Sequence, residues 1–478
     1  MKKKNIYILS IIILLITAFF STGYHHFDEH FQILEFAGLK LNMTVASNLP
    51  WEYHHQLRPA LQPLIAVFLM KFLSIFGINN PFTIAFILRL LSAALAFIAM
   101  LLIYKNYENT ITNEKLKKCF LLLSFFLWFM IYDSVRFSSE NWSGSFFLIG
   151  FSLLNSKQNT SKYCYFLVGL IFGVSFLLRY QIGFLIFGML SWVLVIERNF
   201  KKVALLSIGT IIFIGIGIII DKWFYGEWTL TAWNYFWYFF DQNVINGIYK
   251  FSVDPWWYYF EKTFFQTIPP FSIVIILCFF LVFFLKRKDL LTWTIVPFLL
   301  IHFIISHKEM RFLFPIIGFI PILIIKSIEI VQEKWKQDFI ETKFVKIFIK
   351  LFFIVNILIL AIVAFKPAND QISMYNFIYS NFQCKTVLYY FDANPYHRVL
   401  DINFYKRQNL ETKKISSINE IKPDSSTKQL IVVKDLKLLN QTSFKTKLIY
   451  SQFPQWIKKF NFNNWYEKLN SNYIYEIN

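Results

Sequence analysis

The amino-acid sequence predicts an all-α polytopic membrane protein, with about eleven transmembrane helices and a small mixed α/β extramembrane domain at its C-terminal end. Three observations predict this class. The 478 residues are 56% hydrophobic, which is more than the core of one soluble domain needs. The apolar residues form runs that are separated by short basic clusters. Residues 366–478 differ in composition from everything before them.

Apolar runs define the transmembrane helices. Because a helix needs about twenty mostly apolar residues to cross a bilayer, we predict spans at approximately 6–20, 82–104, 119–132, 143–154, 163–178, 182–196, 203–220, 271–285, 290–305, 312–326 and 347–365. The first run follows a cluster of lysines, which is also typical of a cleaved signal peptide. We favour a retained span, since the later spans make a signal peptide unnecessary for targeting.

Basic residues indicate the orientation. Lys and Arg in short loops stay in the cytoplasm, and the basic clusters occupy alternate loops, at 2–4, 105–118, 157–162, 198–202, 286–288 and 334–346. The outer side then holds 21–81, 133–142, Arg179, 221–270, 306–311 and 366–478. The run from Leu61 to Phe76 would reverse this order if it crossed the membrane. It is short and carries Lys71, so we predict a helix lying along the outer interface.

Residues 366–478 are predicted to form a non-cytoplasmic domain, distinct from a transmembrane domain at 1–365. Apolar pieces such as Thr386 to Tyr390 and Leu430 to Val433 alternate with Lys, Asn, Ser and Thr, a pattern typical of short strands. A mixed α/β domain of about a hundred residues is therefore expected. A partly ordered tail is the alternative.

Composition excludes several function classes. The formal net charge of +19 comes from clusters between apolar runs rather than from one basic stripe, so no nucleic-acid partner is expected. The four cysteines lie far apart, which indicates neither a disulfide framework nor a zinc site. The sequence also lacks a phosphate-cradling Gly-rich loop and a nucleotide-binding fingerprint. Chemistry on soluble nucleotide sugars is therefore disfavoured.

A first cluster of ionisable residues follows the first span, at His25 to Gln32. Charge is costly at membrane depth, so such clusters on one face are candidate sites. The adjacent carboxylates of Asp28 and Glu29 suit a general base, and flanking imidazoles such as His26 can orient or tune the acid. The alternative is a solvated helix cap with Asp28 as the N-cap residue.

A second cluster, Trp51 to Pro59, contains Glu52 and Arg58. Arg58 is placed either to meet a phosphate or to anchor the loop at the lipid headgroups. Arg179 lies in a short outer turn at a helix end. The outer loop 221–270 is rich in aromatic residues, which fits an interfacial aromatic belt or stacking on sugars.

The third cluster is a tight outer turn that contains His307, Lys308, Glu309 and Arg311. Its charges break the positive-inside trend. Such a break suggests a fixed anionic partner, and a lipid phosphate is the obvious candidate. Alternatively, Glu309 pairs internally with Lys308 or Arg311, and the turn is structural.

Motifs in these clusters resemble those of a known family. His26 to Gln32 has the sequence HFDEHFQ, similar to H-P-D-E-x-x-Q, and His307 to Phe312 has HKEMRF, similar to H-K-E-x-R-F. Both patterns belong to the dolichyl-phosphate-mannose-dependent α-mannosyltransferases of glycosyltransferase superfamily C. Asp221 to Gly226 with the following Asn234 resembles that family's D-x-x-F-Y-G and Asn. Phe27 replaces the usual Pro. Over residues 1–365 the order matches, and Pro255 to Tyr259 looks most like the GPI-anchor branch.

The resemblance implies a membrane-embedded glycosyltransferase whose active site is non-cytoplasmic. Its location would be the plasma membrane in a prokaryote or the endoplasmic reticulum membrane in a eukaryote. Polyprenyl- or dolichyl-phosphate mannose would be the donor and a glycolipid or glycan the acceptor, with inversion at the anomeric carbon. No cofactor and no metal are expected, because cationic side chains can neutralise a monophosphate leaving group and no dedicated metal-ligand set is evident.

The resemblance also implies roles for individual residues. Asp28 is expected to remove the acceptor proton, with Glu29 as the close alternative. The cationic residues expected to hold the departing lipid phosphate are His307, Lys308, Arg311, Arg58 and Arg179. The residues expected to support the site are His26, Gln32, Glu52 and Glu309.

Two alternatives stay open at the level of sequence. A protein with the same architecture can transfer another sugar, and fold-level analogy does not distinguish the two. The other alternative is a transporter of lipid-linked sugars. A transporter predicts charged groups near the bilayer midplane, whereas the charges here lie in loops on one face.

Overall fold

The fold is mostly helical and ends in a small β-sheet. The computed structural model describes residues 2–156, 161–242, 253–335, 341–422, 424, 426–434, 445–453, 459–461, 463 and 471–477. Both features agree with the class that the sequence predicts. Residues 243–252 of the predicted aromatic loop lie outside the described residues.

Helices follow one another along most of the chain. The α-helices are Lys3–Phe20, Phe27–Glu29, Glu35–Lys40, Trp51–His54, Leu61–Ile75, Pro81–Glu108, Glu114–Phe126, Trp128–Ser134, Ser139–Asn155, Lys162–Leu178, Gly183–Val195, Phe200–Tyr225, Thr231–Phe240, Tyr258–Gln266, Phe271–Leu285, Leu290–Ile304, Ile320–Trp335, Lys343–Phe365 and Ile372–Asn381. A π-helix, His30–Leu34, and 3₁₀ helices at Ala46–Asn48, Tyr180–Ile182, Met310–Phe319 and Ile418–Glu420 complete the helical elements of the described residues.

In the described residues, ten helical segments are apolar enough to be considered as membrane spans. Five are also long enough to cross a membrane: Lys3–Phe20, Pro81–Glu108, Phe200–Tyr225, Met310–Lys334 and Lys343–Phe365. The shorter apolar ones are Leu61–Ile75, Lys162–Leu178, Tyr180–Val195, Phe271–Leu285 and Leu290–Ile304. The chain is therefore an integral membrane protein, while the count of eleven spans stays a prediction. Leu61–Ile75 is helical as predicted, and its interfacial position also stays a prediction.

Polar residues at loop ends fix where several helices begin. The side chains that accept hydrogen bonds from first-turn N–H groups belong to Asn113, Ser138, Ser161, Asn199, Asp289 and Thr342. These caps satisfy donors that have no partner within the helix. At the other end of Phe200–Tyr225, Gly226 adopts a φ of 88°. Glycine takes up this left-handed conformation at little cost, so the helix ends there.

Glycines allow the helices Lys162–Leu178 and Phe200–Tyr225 to approach closely. A Cβ atom at Gly169 would lie 2.3 Å from the carbonyl oxygen of Leu206, and one at Gly209 would lie 2.3 Å from that of Phe166. Because lipid is itself apolar, burying apolar surface between helices in a bilayer gains little free energy. Helices there associate largely through close van der Waals contact of this kind. The glycine positions therefore fix the geometry of this helix pair.

Gly169→Ala is expected to destabilise the protein by about 1–3 kcal/mol, because the added methyl group overpacks the contact. It would meet backbone atoms, which cannot move aside as a flexible side chain does. Gly215→Ala is the matched control, since no atom lies within 4 Å of its Cβ position. Thermal unfolding of both purified variants in detergent measures the difference. Equal unfolding midpoints for Gly169→Ala and Gly215→Ala would contradict this description of the helix contact.

The chain folds into two compact units. The helical unit consists of Met1–Ser21, Glu52–Ile65 and Ile87–Lys366, and the tail unit of Thr22–Trp51, Ala66–Phe86 and Pro367–Asn478. The tail unit thus combines the C-terminal residues with parts of the predicted outer loop. Within it, the Thr22 carbonyl accepts hydrogen bonds from the N–H groups of Ala368 and Asn369, at 2.9 and 3.1 Å.

The tail unit contains a five-stranded sheet. Its strands are β1 (Thr386–Tyr390), β2 (Leu410–Lys414), β3 (Lys428–Val433), β4 (Thr446–Ser451) and β5 (Tyr473–Ile477), in the order β2-β1-β3-β5-β4. β1 pairs in parallel with β2 and β3, whereas β5 pairs antiparallel with β3 and β4. β1 and β3 are almost wholly buried, as expected for central strands covered on both faces. Both strands expected from sequence are confirmed.

Candidate active site

The predicted acidic pair lies on a short helical turn of the tail unit. His26 precedes the turn as its N-cap, and His26 Nδ1 accepts a hydrogen bond from the Asp28 N–H at 3.2 Å. The same nitrogen lies 3.5 Å from Asp28 Oδ1. Glu29 Oε2 accepts a hydrogen bond from the His25 N–H at 3.1 Å. The imidazole, and not Asp28, therefore caps the turn, and both carboxylates are half-buried.

A buried His–Glu contact fixes the segment that follows. His30 Nε2 lies 3.0 Å from Glu35 Oε1. The same oxygen accepts hydrogen bonds from the N–H groups of Asn403 and Phe404, at 2.7 and 2.9 Å. His30 and Glu35 are 0% and 1% exposed, and hydrogen bonding makes this burial tolerable. The π-helix His30–Leu34 directly follows the acidic turn, and π-helical segments occur frequently at functional sites.

In the helical unit, the motif that begins at Asp221 positions the backbone around Arg58. Asp221 Oδ1 accepts a hydrogen bond from the Ala60 N–H at 2.8 Å. Its Oδ2 accepts one from the Thr231 hydroxyl at 2.5 Å. The Tyr225 hydroxyl donates to the Arg58 carbonyl at 2.7 Å. The bonds to Ala60 and Arg58 hold the chain where it enters the helix Leu61–Ile75, and the Thr231 hydroxyl fixes the Asp221 carboxylate.

The Arg58 side chain is held by two groups. Its Nη2 lies 3.6 Å from Glu52 Oε1, and its Cζ lies 5.6 Å from the centroid of the Tyr235 ring. A carboxylate and an aromatic face together orient a guanidinium group. Glu52 therefore contacts Arg58, while its supporting role in the site stays a prediction.

Glu140 joins two arginines that were predicted to bind the donor phosphate. Glu140 Oε1 accepts hydrogen bonds from Arg179 Nη1 at 2.7 Å and from Arg311 Nη1 at 3.0 Å. The Ser139 hydroxyl donates to Glu140 Oε2 at 3.1 Å. Both guanidinium groups also contact the Phe312 ring, with Cζ 5.1 and 5.3 Å from its centroid. The three ionic side chains are buried, so one carboxylate fixes both cations.

The turn that carries Arg311 is itself internally paired. Arg311 Nε and Nη2 donate to the two oxygens of Glu309, at 2.6 and 3.1 Å. His307 Nε2 lies 3.1 Å from Glu309 Oε1. Asp254 Oδ2 accepts a hydrogen bond from the Lys308 N–H at 3.0 Å, and the Lys308 ammonium donates to the Asp254 carbonyl at 3.0 Å. Burial lowers the pKa of Lys308, although Asp254 opposes the shift.

The two carboxylates that contact Arg311 differ in exposure. Arg179 and Arg311 contact the Glu140 carboxylate, Arg311 also contacts that of Glu309, and the Lys308 backbone N–H donates to that of Asp254. Glu309 makes a two-point contact with Arg311, the same geometry that arginine uses with phosphate. The Glu309 side chain is 25% exposed, whereas that of Glu140 is 3% exposed. Arg311 is therefore held by one buried carboxylate, that of Glu140, and by one partly exposed carboxylate, that of Glu309.

The structure brings the predicted residues together in separate groups. One network of the helical unit contains Arg179, His307, Lys308, Glu309 and Arg311, and Glu52 with Arg58 forms another contact of that unit. Asp28, Glu29 and His26 lie in the tail unit, where Gln32 follows them in the π-helix and is 9% exposed. Among the described residues, no group of three His, Cys, Asp or Glu side chains is arranged to hold a metal ion.

Sequence reasoning assigned no role to Glu35, Glu140 and Asp254. Glu35 and Glu140 do carry a signal, because each is a lone carboxylate in or beside an apolar stretch. A charge buried in such surroundings needs a partner. Asp254 offers no comparable signal, since its partners lie more than fifty residues along the chain.

Comparison with known proteins agrees with the resemblance of the motifs. The model of the Alg9-like mannosyltransferase family matches residues 5–400. GPI alpha-1,2-mannosyltransferase 3 of Xenopus laevis is 28% identical over 310 residues, which are 61% of this chain and 53% of the relative. The Homo sapiens protein of the same name is 26% identical over 339 residues, 66% and 56% of the two chains. GPI mannosyltransferase 3 of Candida albicans is 30% identical over 295 residues, 60% and 56%.

The chain spans about half the length of the curated relatives it matches. No solved structure matches it. The family match includes both the acidic turn and the turn that carries Arg311, so the relationship extends well beyond the two motifs. The chain belongs to the Alg9-like mannosyltransferase family.

Proposed function

We propose that the chain is a membrane-embedded glycosyltransferase. It moves a mannosyl residue from polyprenyl-phosphate mannose to a glycolipid or glycan acceptor, with inversion and on the non-cytoplasmic face. Family membership supports the reaction class. The observation that carries the proposal is the pair of half-buried carboxylates, Asp28 and Glu29, on a turn capped by His26.

In the proposed reaction, Asp28 takes the proton of the acceptor hydroxyl. As that oxygen bonds to the anomeric carbon of mannose, the bond from this carbon to the lipid phosphate oxygen breaks, and the sugar passes through an oxocarbenium-like state. A general base of this kind contributes about 10²–10⁴-fold to the rate. The imidazole of His26 accepts a hydrogen bond from the Asp28 N–H at 3.2 Å and so fixes the backbone that carries this carboxylate. Glu29 is the alternative base.

The departing lipid phosphate gains negative charge. We assign its stabilisation to Arg311 and to Arg179, which shares the Glu140 carboxylate with it. We also assign it to His307 and Lys308, which lie in the same turn as Arg311. The phosphate takes the two-point contact on Arg311 that Glu309 holds in its absence. Preorganised cations of this type stabilise charge that grows in the transition state. The Glu140 bridge supports this role because it keeps both guanidinium groups fixed.

The names of the relatives suggest the acceptor and the linkage. The animal relatives are called GPI alpha-1,2-mannosyltransferase 3, so we propose a mannose-terminated glycosylphosphatidylinositol-type lipid as acceptor and an α-1,2 linkage. The motif at Pro255 to Tyr259 supports the same branch of the family.

The test is a transfer assay with the purified protein in lipid vesicles. Radiolabelled polyprenyl-phosphate mannose is the donor and octyl α-mannoside the acceptor probe, with GDP-mannose and polyprenyl-phosphate glucose as parallel donors. Label is expected on the mannoside from the mannosyl lipid alone, in an α-1,2 linkage. Transfer from GDP-mannose, or better transfer of glucose, would contradict the donor. Label that crosses the vesicle membrane while still attached to its lipid would favour the transporter.

Transfer is expected to continue at an unchanged rate in excess EDTA. The proposed reaction neutralises the lipid phosphate with side-chain cations, which makes a divalent ion dispensable. Initial rates with and without EDTA measure this directly. A loss that Mg²⁺ or Mn²⁺ restores would show that a metal ion takes part.

A further inference from the structure

A cavity of about 550 Å³ lies in the tail unit. Its wall comes from residues 41–43 of the outer loop, from the end of the helix Leu61–Ile75 and the residues after it, and from residues 404–409 of the C-terminal part. Neither Asp28 nor Glu29 lines it. Its volume is in the range of small-molecule sites and far exceeds that of a single ion.

The charged groups lining this cavity are cationic. Lys71, Lys406 and Arg407 line it, and none of the described lining residues is Asp or Glu. Arg407 Nε donates to the Tyr379 carbonyl at 2.7 Å, and Arg407 Cζ lies 3.9 Å from the centroid of the Tyr379 ring. These contacts fix the guanidinium plane and use only Nε, so the terminal amino groups remain for an anion.

Lys406 is a partly desolvated cation. Burial lowers its pKa, and Asp401 and Glu411 offset the shift only in part. Both of those carboxylates have other partners: Asp401 pairs with His397 at 2.7 Å and Glu411 with Lys413 at 3.3 Å. Lys406 also lies over the Tyr396 ring, with Nζ 6.0 Å from its centroid. An anion in the cavity would add to the partial stabilisation that these groups give.

Amide side chains accompany the cations. Asn79, Gln408 and Asn409 line the same cavity. The Asn409 amide nitrogen donates to the carbonyls of Gln383 and Cys384, at 2.6 and 2.7 Å, so this residue offers its side-chain oxygen. An amide group offers both a donor and an acceptor, which suits the hydroxyl groups of a polyol. Together with the cations, they fit a ligand that carries a negative charge and several hydroxyl groups.

The helix that supplies Lys71 also presents an apolar stripe to its surroundings. Phe68, Phe72, Ile75 and Phe76 are 69%, 47%, 77% and 65% exposed. Their spacing of four, three and one residues places them along one face of the helix and the turn after it. In a membrane protein such a stripe is suited to contact acyl chains, and a lysine beside it has the length to reach lipid headgroups.

We propose that this cavity binds the headgroup of an anionic membrane lipid, a phosphate diester that carries a polyol. Lys71, Lys406 and Arg407 bind the phosphate, the amide groups bind the hydroxyls, and the acyl chains lie along the stripe of Phe68 and Phe72. The site contains none of the residues assigned to mannosyl transfer, so its test is separate from the transfer assay.

The test measures binding of acyl-labelled phosphatidylinositol to the full-length protein in neutral detergent, by fluorescence anisotropy. Lys406→Gln combined with Arg407→Gln is expected to weaken binding at least about tenfold, since two charge-assisted contacts are lost. Lys413→Gln combined with Lys447→Gln removes the same charge from exposed positions of the tail unit and is expected to bind normally. Equal weakening in both double variants would overturn the proposal, because binding would then reflect net charge alone.

Two further measurements separate the parts of the proposed ligand. Phe68→Gln with Phe72→Gln, both exposed, is expected to weaken binding of the lipid but not of soluble glycerophosphoinositol. Inorganic phosphate is expected to compete much less well than glycerophosphoinositol. Equal competition would overturn recognition of a headgroup. Should the Lys406 and Arg407 variant fail to fold, Lys71→Gln at an exposed position replaces it, and unchanged binding in that variant would overturn the proposal as well.

Discussion

Asp28→Asn is expected to lower kcat for mannosyl transfer by about 10²–10⁴-fold, the usual contribution of a general base. Asparagine keeps the shape of the side chain but cannot act as the base that takes the proton from the acceptor hydroxyl. The KM for the donor is expected to change little, because the substitution removes an interaction that matters in the transition state. Initial rates at varied donor concentration, with polyprenyl-phosphate mannose and octyl α-mannoside, measure both quantities.

Two controls define the role of Asp28. Glu29→Gln tests the neighbouring carboxylate, which accepts a hydrogen bond from the His25 N–H, and a smaller loss there assigns the base to Asp28. Asp392→Asn removes an exposed carboxylate of the same unit and is expected to leave kcat unchanged. If Glu29→Gln were the inactive variant and Asp28→Asn the active one, the base would be Glu29.

Glu140→Gln is expected to reduce the free energy of unfolding by about 3–5 kcal/mol, the cost of removing one partner from a buried ion pair. Both Arg179 and Arg311 would lose the carboxylate that they share. Glutamine has the same shape, so the change isolates the charge. Thermal and denaturant unfolding in detergent measure the loss.

An exposed pair provides the matched control for Glu140. Glu411→Gln removes a carboxylate that lies 3.3 Å from Lys413, with both side chains about half exposed. Exposed pairs contribute about 0–1 kcal/mol, so a small change is expected. A similar small change for Glu140→Gln would show that the buried network is not needed to hold the two arginines.

Local sequence patterns predicted much of the fold. Apolar runs located the helices because a helix in lipid must satisfy its own backbone, and the short apolar run at Thr386 to Tyr390 did form β1. The pairing of the strands could not be predicted from sequence. β1 lies between β2 and β3, and β5 lies between β3 and β4. Such order depends on contacts between residues far apart in sequence, which no local pattern contains.

Prediction of the candidate site from sequence was limited in the same way. Asp28, Glu29 and Arg311 were found because their motifs are continuous in sequence and resemble a family. Glu140 was overlooked because its partners are 39 and 171 residues away. Its neighbours indicate a helix start and a charge that needs a partner, but not which residues are the partners. Those are set when three segments of the helical unit come together.

The measurement that tests the proposed reaction most directly compares wild type with a folded Asp28→Asn, Glu29→Gln double variant. Both are reconstituted in vesicles with radiolabelled polyprenyl-phosphate mannose and octyl α-mannoside, and unfolding midpoints confirm that both are folded. Label on the mannoside with wild type and none with the double variant is the predicted result. Transfer by the folded double variant at the wild-type rate would contradict catalysis by the acidic turn.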